Sequence, residues 1–207
     1  TNQMFDHTIV LTMPSINSGT FKSAQIAAKN VSSENITVID SLNGSGSIGL
    51  IAIEASKLIQ KGSSLQEIVE NIHKNTKKVH TFVTMENLVY LFRGGRVSKT
   101  KFAIANFLRM KPFIRVSEIG KMYQAGGIIG NKTTVRKKLL KKVYKETKGE
   151  TGLKFMITHT MDYDTANWAK KEIEKHLKPQ SVDTAPMSPT MGTHGGPGTL
   201  VISWLSN

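Results

Sequence analysis

At 207 residues, with 39% hydrophobic and 7% aromatic side chains, the chain can bury the core of one large or two small domains, and no apolar run nears the roughly 20 residues of a membrane-spanning helix. It has no cysteine, which excludes disulfides, thiolate catalysis and sulfur-ligated zinc; no basic segment leads into an apolar one, so a cytoplasmic protein is expected. The formal charge of +13 suits an anionic partner, and eight of the 28 Lys and Arg crowd between Lys132 and Lys148 against the single acid Glu146.

The apolar run His7 to Met13 reads as a strand, followed by cap and turn residues from Ser15 to Thr20 and a helix from Phe21 to Lys29. Asn35 to Ile39 is a second strand, ending in Asp40-Ser41. A glycine-rich loop then opens a helix about Gly49 to Lys61, and Ser63 to Asn75 restarts with an N-cap pattern. This βαβα order favours a parallel sheet. The pattern changes near His80, where a domain boundary is expected. Beyond it come the strand FVT, the apolar stretch MENLVYLF, a turn at Arg93 to Arg96, and a helix about Lys101 to Met110 stopped by Pro112. A strand Phe113 to Val116 and a strand MYQA follow, then the basic helix, a strand Lys154 to Thr158, a helix Tyr163 to Leu177 and a last strand LVISWL. The fold class is α/β in two units, 1–80 and 81–207.

Three loops carry candidate chemistry. In the first, Ser18, Gly19 and Thr20 open a helix, where free N–H groups and hydroxyls can hold an anion; the plainer reading is a helix cap. In the second, Gly94 and Gly95 let the backbone turn sharply so that Arg96 can present its planar fork to a carboxylate; the plainer reading is a solvated turn. In the third, Gly192 to Gly198, glycines frame His194. The stretch Gly44 to Gly49 formally matches the dinucleotide fingerprint GxGxxG but is read as a flexible linking loop, because no ribose-binding acid is well placed after it. The six histidines show no metal spacing, and phosphate-loop and GxSxG signatures are missing, so no metal is expected. The basic segment sets Val135, Leu139, Leu140 and Val143 on one helical face and its lysines on the other. Nine methionines are either core filler or a wall for a bendable ligand.

Taken together and in order, SINSGT (15–20), VIDS (38–41), LVYLFRGGRVSK (88–99), LRMKPFIRV (108–116) and HGGPG (194–198) resemble the DegV family of fatty-acid-binding proteins over essentially the whole chain. The resemblance implies two α/β domains with a parallel sheet in the first, of which residues 1–80 are the remainder, and a second domain, 81–207, that holds an acyl chain. It places the fatty-acid carboxylate at Ser18, Arg96 and His194, with Gly19, Thr20 and Gly95 beside them, and implies no cofactor and no catalytic residue. It also implies a separate fatty acid kinase as partner, which makes acyl phosphate for phospholipid synthesis. The clustered charge of the basic helix, about Lys132 to Lys148, suits steering that docking or transient contact with anionic membrane, and no nucleic-acid partner is expected. Relative to the family pattern the chain is expected to lack an N-terminal part with a TDS-type strand and a TSQP-type loop, and it departs from that pattern at Asn17 and Gly195. Two other readings stand beside this one. A hydrolase would use Ser18 as nucleophile, His194 as base and Asp40 or Asp183 as orienter; a nucleic-acid-binding protein would rest on charge alone.

Overall fold

The computed structural model describes residues 5–31, 34–99, 103 and 110–206. The helix expected about Lys101 to Met110 lies almost wholly outside them. The chain runs β1 (Thr8–Thr12), α1 (Thr20–Asn30), β2 (Ile36–Asp40), α2 (Gly46–Gln60), α3 (Leu65–Lys78), β3 (Val79–Thr84), α4 (Val89–Arg93), β4 (Lys111–Val116), β5 (Met122–Ile128), α5 (Lys132–Glu146), β6 (Lys154–His159), α6 (Tyr163–Leu177), β7 (Ser181–Pro186), α7 (Pro189–Gly195) and β8 (Leu200–Leu205).

Strands β1 and β2 pair in parallel through the α1 crossover, as the βαβα order anticipates. The other six form one mixed sheet in the order β5-β4-β3-β8-β6-β7. Only β6 and β7 pair in parallel there, across α6; every other neighbour is antiparallel. Three elements escape the sequence reading, the first being α4, a short helix begun inside the apolar stretch MENLVYLF. Strand β7 is an edge strand with an acid in its middle and a proline at its end, and α7 occupies part of the glycine-rich stretch read as a loop.

Period-2 alternation gives the six-stranded sheet two apolar faces. On one, Phe82, Phe113, Phe155, Ile157, Ile202 and Trp204 pack beneath α5 and α6. Helix α5 contributes the expected Val135, Leu139, Leu140 and Val143, all buried. Helix α6 offers Ala166 and Ala169, whose small side chains let it lie close to the strands. On the other face, α2 covers part of the sheet through Leu50, Ile51 and Ala55, and the same helix packs on Ile39 of β2 and Leu205 of β8. Helix α2 is therefore shared by both sheets. Helix α3, started by a reciprocal Ser64–Glu67 capping box, backs it with Ile68 and Ile72.

The glycine-rich stretch before α2 is not the linking loop that was expected. The helix begins within it, at Gly46, and a side-chain carbon on Gly46 would sit 2.8 Å from Met156 Cγ of β6. Glycine is needed so that the helix start can press against the sheet. Around this contact hydroxyls link helix to sheet: Ser47 bonds Thr81, Thr81 lies 3.3 Å from Ser203, and Ser45 Oγ lies 2.6 Å from Thr158 Oγ1.

Candidate functional site

The half of that second sheet face left uncovered by α2 borders a cavity. Its floor is Val83, Ile114, Val116 and Val201; its rim comes from the β1–α1 loop, the start of α2, and helices α4 and α7. Ser18, Arg96 and His194 all line it, although 78 and 98 positions separate each from the next along the chain.

Each side chain arrives by a different device. Ser18 sits where the chain turns into α1; its Oγ lies 2.8 Å from Thr20 Oγ1 and accepts from the Thr20 N–H at 3.3 Å. The loop before it is tied down by Asp40, whose two carboxylate oxygens accept from Ser15 N at 3.0 Å and Leu42 N at 2.9 Å. Arg96 follows a Schellman ending of α4: Gly95 N donates to Phe92 O and Arg96 N to Leu91 O, both at 2.9 Å, with Gly95 at φ +73°. The guanidinium is exposed at the rim, and its Nη1 donates to Gly94 O at 2.5 Å. His194 is on the last turn of α7, a helix begun by Ser188 and Pro189. The expected loop histidine is thus a helical one, because the Ser-Pro start outweighs the glycines that follow.

Gly19, Thr20 and Gly95 do not line the cavity. Gly19 is the N-cap position of α1 and Thr20 its first residue, bonded back to Ser18, while Gly95 ends α4. The sequence reading took Gly94 for a turn glycine and missed its packing role. A side-chain carbon there would lie 2.3 Å from His194 Nδ1, and one on Gly196 would lie 2.1 Å from the Tyr90 ring. The two glycine motifs therefore interlock, α4 against α7. His194 Nδ1 is buried against Gly94 with no hydrogen-bond partner. That leaves Nε2 as the nitrogen open to a ligand. Asn17 lines the cavity and donates its amide to Gly120 O at the tip of the β4–β5 hairpin, at 2.5 Å. A hydroxyl, a permanent cation and an imidazole on an apolar chamber can together orient an anionic head group whose tail is buried.

The basic segment is elsewhere. Helix α5 packs on the opposite face of the six-stranded sheet, with Lys137, Lys138, Lys141, Lys142 and Lys145 exposed.

The family model described as "Uncharacterised protein, DegV family" matches residues 1–207, and the chain belongs to that family. A DegV domain-containing protein of Clostridium perfringens is 29% identical over 199 residues, 96% of this chain and 70% of that protein. One from Lactococcus lactis is 30% identical over 193 residues, covering 91% of this chain and 66% of its own length. Among solved structures, a DegV family protein of Thermus thermophilus described for its fatty acid binding superposes with a TM-score of 0.87 at 24% identity, over 99% of this chain and 72% of that one. The fatty acid kinase B3 protein of Streptococcus pneumoniae, loaded with linoleic acid, gives 0.86 at 21% identity, over 100% and 74%. These two likenesses establish the fold. Among the described residues, no helix is long and apolar enough to cross a membrane.

Proposed function

We propose that this chain binds one long-chain fatty acid in the cavity and presents its carboxylate to a separate fatty acid kinase, which forms the acyl phosphate. The observation that carries the reading is the convergence of Ser18, Arg96 and His194 on a single chamber with an otherwise apolar floor. Arg96 supplies charge, Ser18 a hydroxyl donor and His194 Nε2 a third contact. Burying the carboxylate without such partners would cost several kcal/mol. The aliphatic tail lies along β3, β4 and β8, within residues 81–207, while the loop from residues 1–80 supplies Ser18.

In this reading the chain binds and does not catalyse. Ser18 is bonded to Thr20 and Asp40 to the backbone of two loops, while His194 Nδ1 has no carboxylate to orient it. A Ser-His-Asp relay needs those three joined to one another. The kinase assignment draws on the likeness to the Streptococcus pneumoniae protein, and the setting proposed with it is phospholipid synthesis in the cytoplasm. Since α5 lies behind the sheet, its lysines act on the kinase, or on anionic membrane during exchange, through their long-range field.

The test is mass spectrometry of an organic-solvent extract of the purified chain, followed by reloading of the delipidated protein with oleate. Stoichiometric fatty acid, or saturable oleate binding weakened by Arg96→Ala, is expected. An empty extract with no oleate uptake would overturn the reading.

A further inference from the structure

Five of the nine methionines, Met13, Met85, Met122, Met187 and Met191, line the cavity. They come from five separate places: the end of β1, the end of β3, the start of β5, the end of β7 and helix α7. So a residue type spread along the sequence is gathered around one chamber, which five thioethers line. None of the five is fixed by branching. A methionine has three rotatable side-chain bonds and no second carbon on Cβ or Cγ, so it changes shape at little cost where leucine or isoleucine would clash. Met187 is the partial exception, since Thr160 Oγ1 donates to its sulfur at 3.5 Å.

The floor contrasts with this. Val83, Ile114, Val116 and Val201 are β-branched residues standing on paired strands, and they are stiff. Met122, opposite Val116 across the β4–β5 pair, and Met85, packed with Ile114, stand among them, while Met13, Met187 and Met191 come from the rim, so a ligand meets stiff and deformable side chains together.

From these five methionines we infer that the chain is a broad-range acyl carrier: saturated chains and chains bent by cis double bonds bind with similar affinity, because the methionine side chains re-form around each. The inference rests on the fatty-acid reading above and deepens it by naming the ligand class. Rigid apolar pockets discriminate a single methylene by roughly 10- to 200-fold; an adaptable wall flattens such differences, as in other surfaces that re-pack around varied partners. The cost is ordering entropy, since each methionine immobilised against a ligand gives up rotamer freedom. Breadth is obtained in exchange for maximal affinity toward any one chain.

The experiment is competitive binding of palmitate, oleate and linoleate to the delipidated chain and to Met85→Leu/Met122→Leu. Leucine conserves apolar character and nearly conserves volume, so folding is expected to survive, with circular dichroism as the check. A second variant, Met13→Leu/Met191→Leu, takes the place of the first if that one does not fold. Wild-type affinities within about threefold of one another, spreading to about tenfold or more in the leucine variant, are expected. A wild-type preference above about tenfold for one ligand overturns the inference while leaving fatty-acid binding intact. So does a leucine variant with unchanged ratios. Failure of all three to bind wild type overturns the fatty-acid reading itself, and this inference with it.

Discussion

Arg96 is the permanent cation of the site, and it stands at the rim rather than in the core. Replacing it with alanine removes charge without leaving a cavity, so Tm should stay put while oleate affinity falls by about 1.5–3 kcal/mol, the range for hydrogen bonds to charged groups. Gly94→Ala should behave differently. The new carbon meets an imidazole already pressed between two helices, so both Tm and ligand affinity should fall, the stability loss being about 1–3 kcal/mol. Differential scanning fluorimetry with and without oleate separates the two cases. Asp162 offers a pH prediction. Burial raises its pKa, but hydrogen bonds with Thr165 and Lys132 and the charges of Lys132 and Arg136 outweigh that and hold it below the ordinary 3.8. A depressed carboxylate stabilises the fold fully above its unfolded value and loses that contribution as pH falls through the folded one. Asp162→Asn should therefore have a lower Tm than wild type at neutral pH, with the gap closing as pH drops below 3.8. At this scale, Ser18, Arg96 and His194 were visible as residues whose chemistry suits a carboxylate. Gly94 was not: its role is set by a histidine 100 positions away, and no local pattern encodes a contact at that range.

Among the elements, helices α5 and α6 and strands β6 and β8 were readable because each carries its own periodicity and packs one clean face. Strand β7 was not, since SVDTAP alternates poorly and earns its place only by pairing with β6. Helix α7 was hidden by glycines, and the start of α2 by a motif that resembles a nucleotide fingerprint. In α2 the glycine is a packing device: Gly46→Ala would meet Met156 Cγ at 2.8 Å and Met156 O at 3.1 Å. The flexible side chain can move but the carbonyl cannot, so a loss of about 1–3 kcal/mol in urea denaturation is expected. Helix α5 tests the opposite case. Reversing Lys137 and Lys141 to glutamate touches only exposed positions, so stability should change by no more than about 0.5 kcal/mol at each. Association with the proposed kinase partner, measured by stopped-flow at two ionic strengths, should slow and lose salt dependence; an unchanged rate would remove α5 from the encounter.

For the whole molecule, the decisive feature is that α2 belongs to both sheets. Ile39 of β2 and Leu205 of β8 meet in one cluster through it, so residues 1–80 share their core with β8, while the cluster beneath α5 and α6 lies wholly within 81–207. Heat or urea should then unfold the two parts together. Far-ultraviolet circular dichroism, which reports every helix, and the fluorescence of Trp168 and Trp204, which both lie beyond residue 80, should trace coincident transitions. The interlocked glycines of α4 and α7 have a consequence for descent as well. A methyl group added at Gly94 or Gly196 is obstructed by a residue of the opposite motif, His194 or Tyr90. Drift in either motif should thus be conditional on a matching change in the other, so that LVYLFRGGR and HGGPG are expected to change together, though 97 residues of chain lie between them.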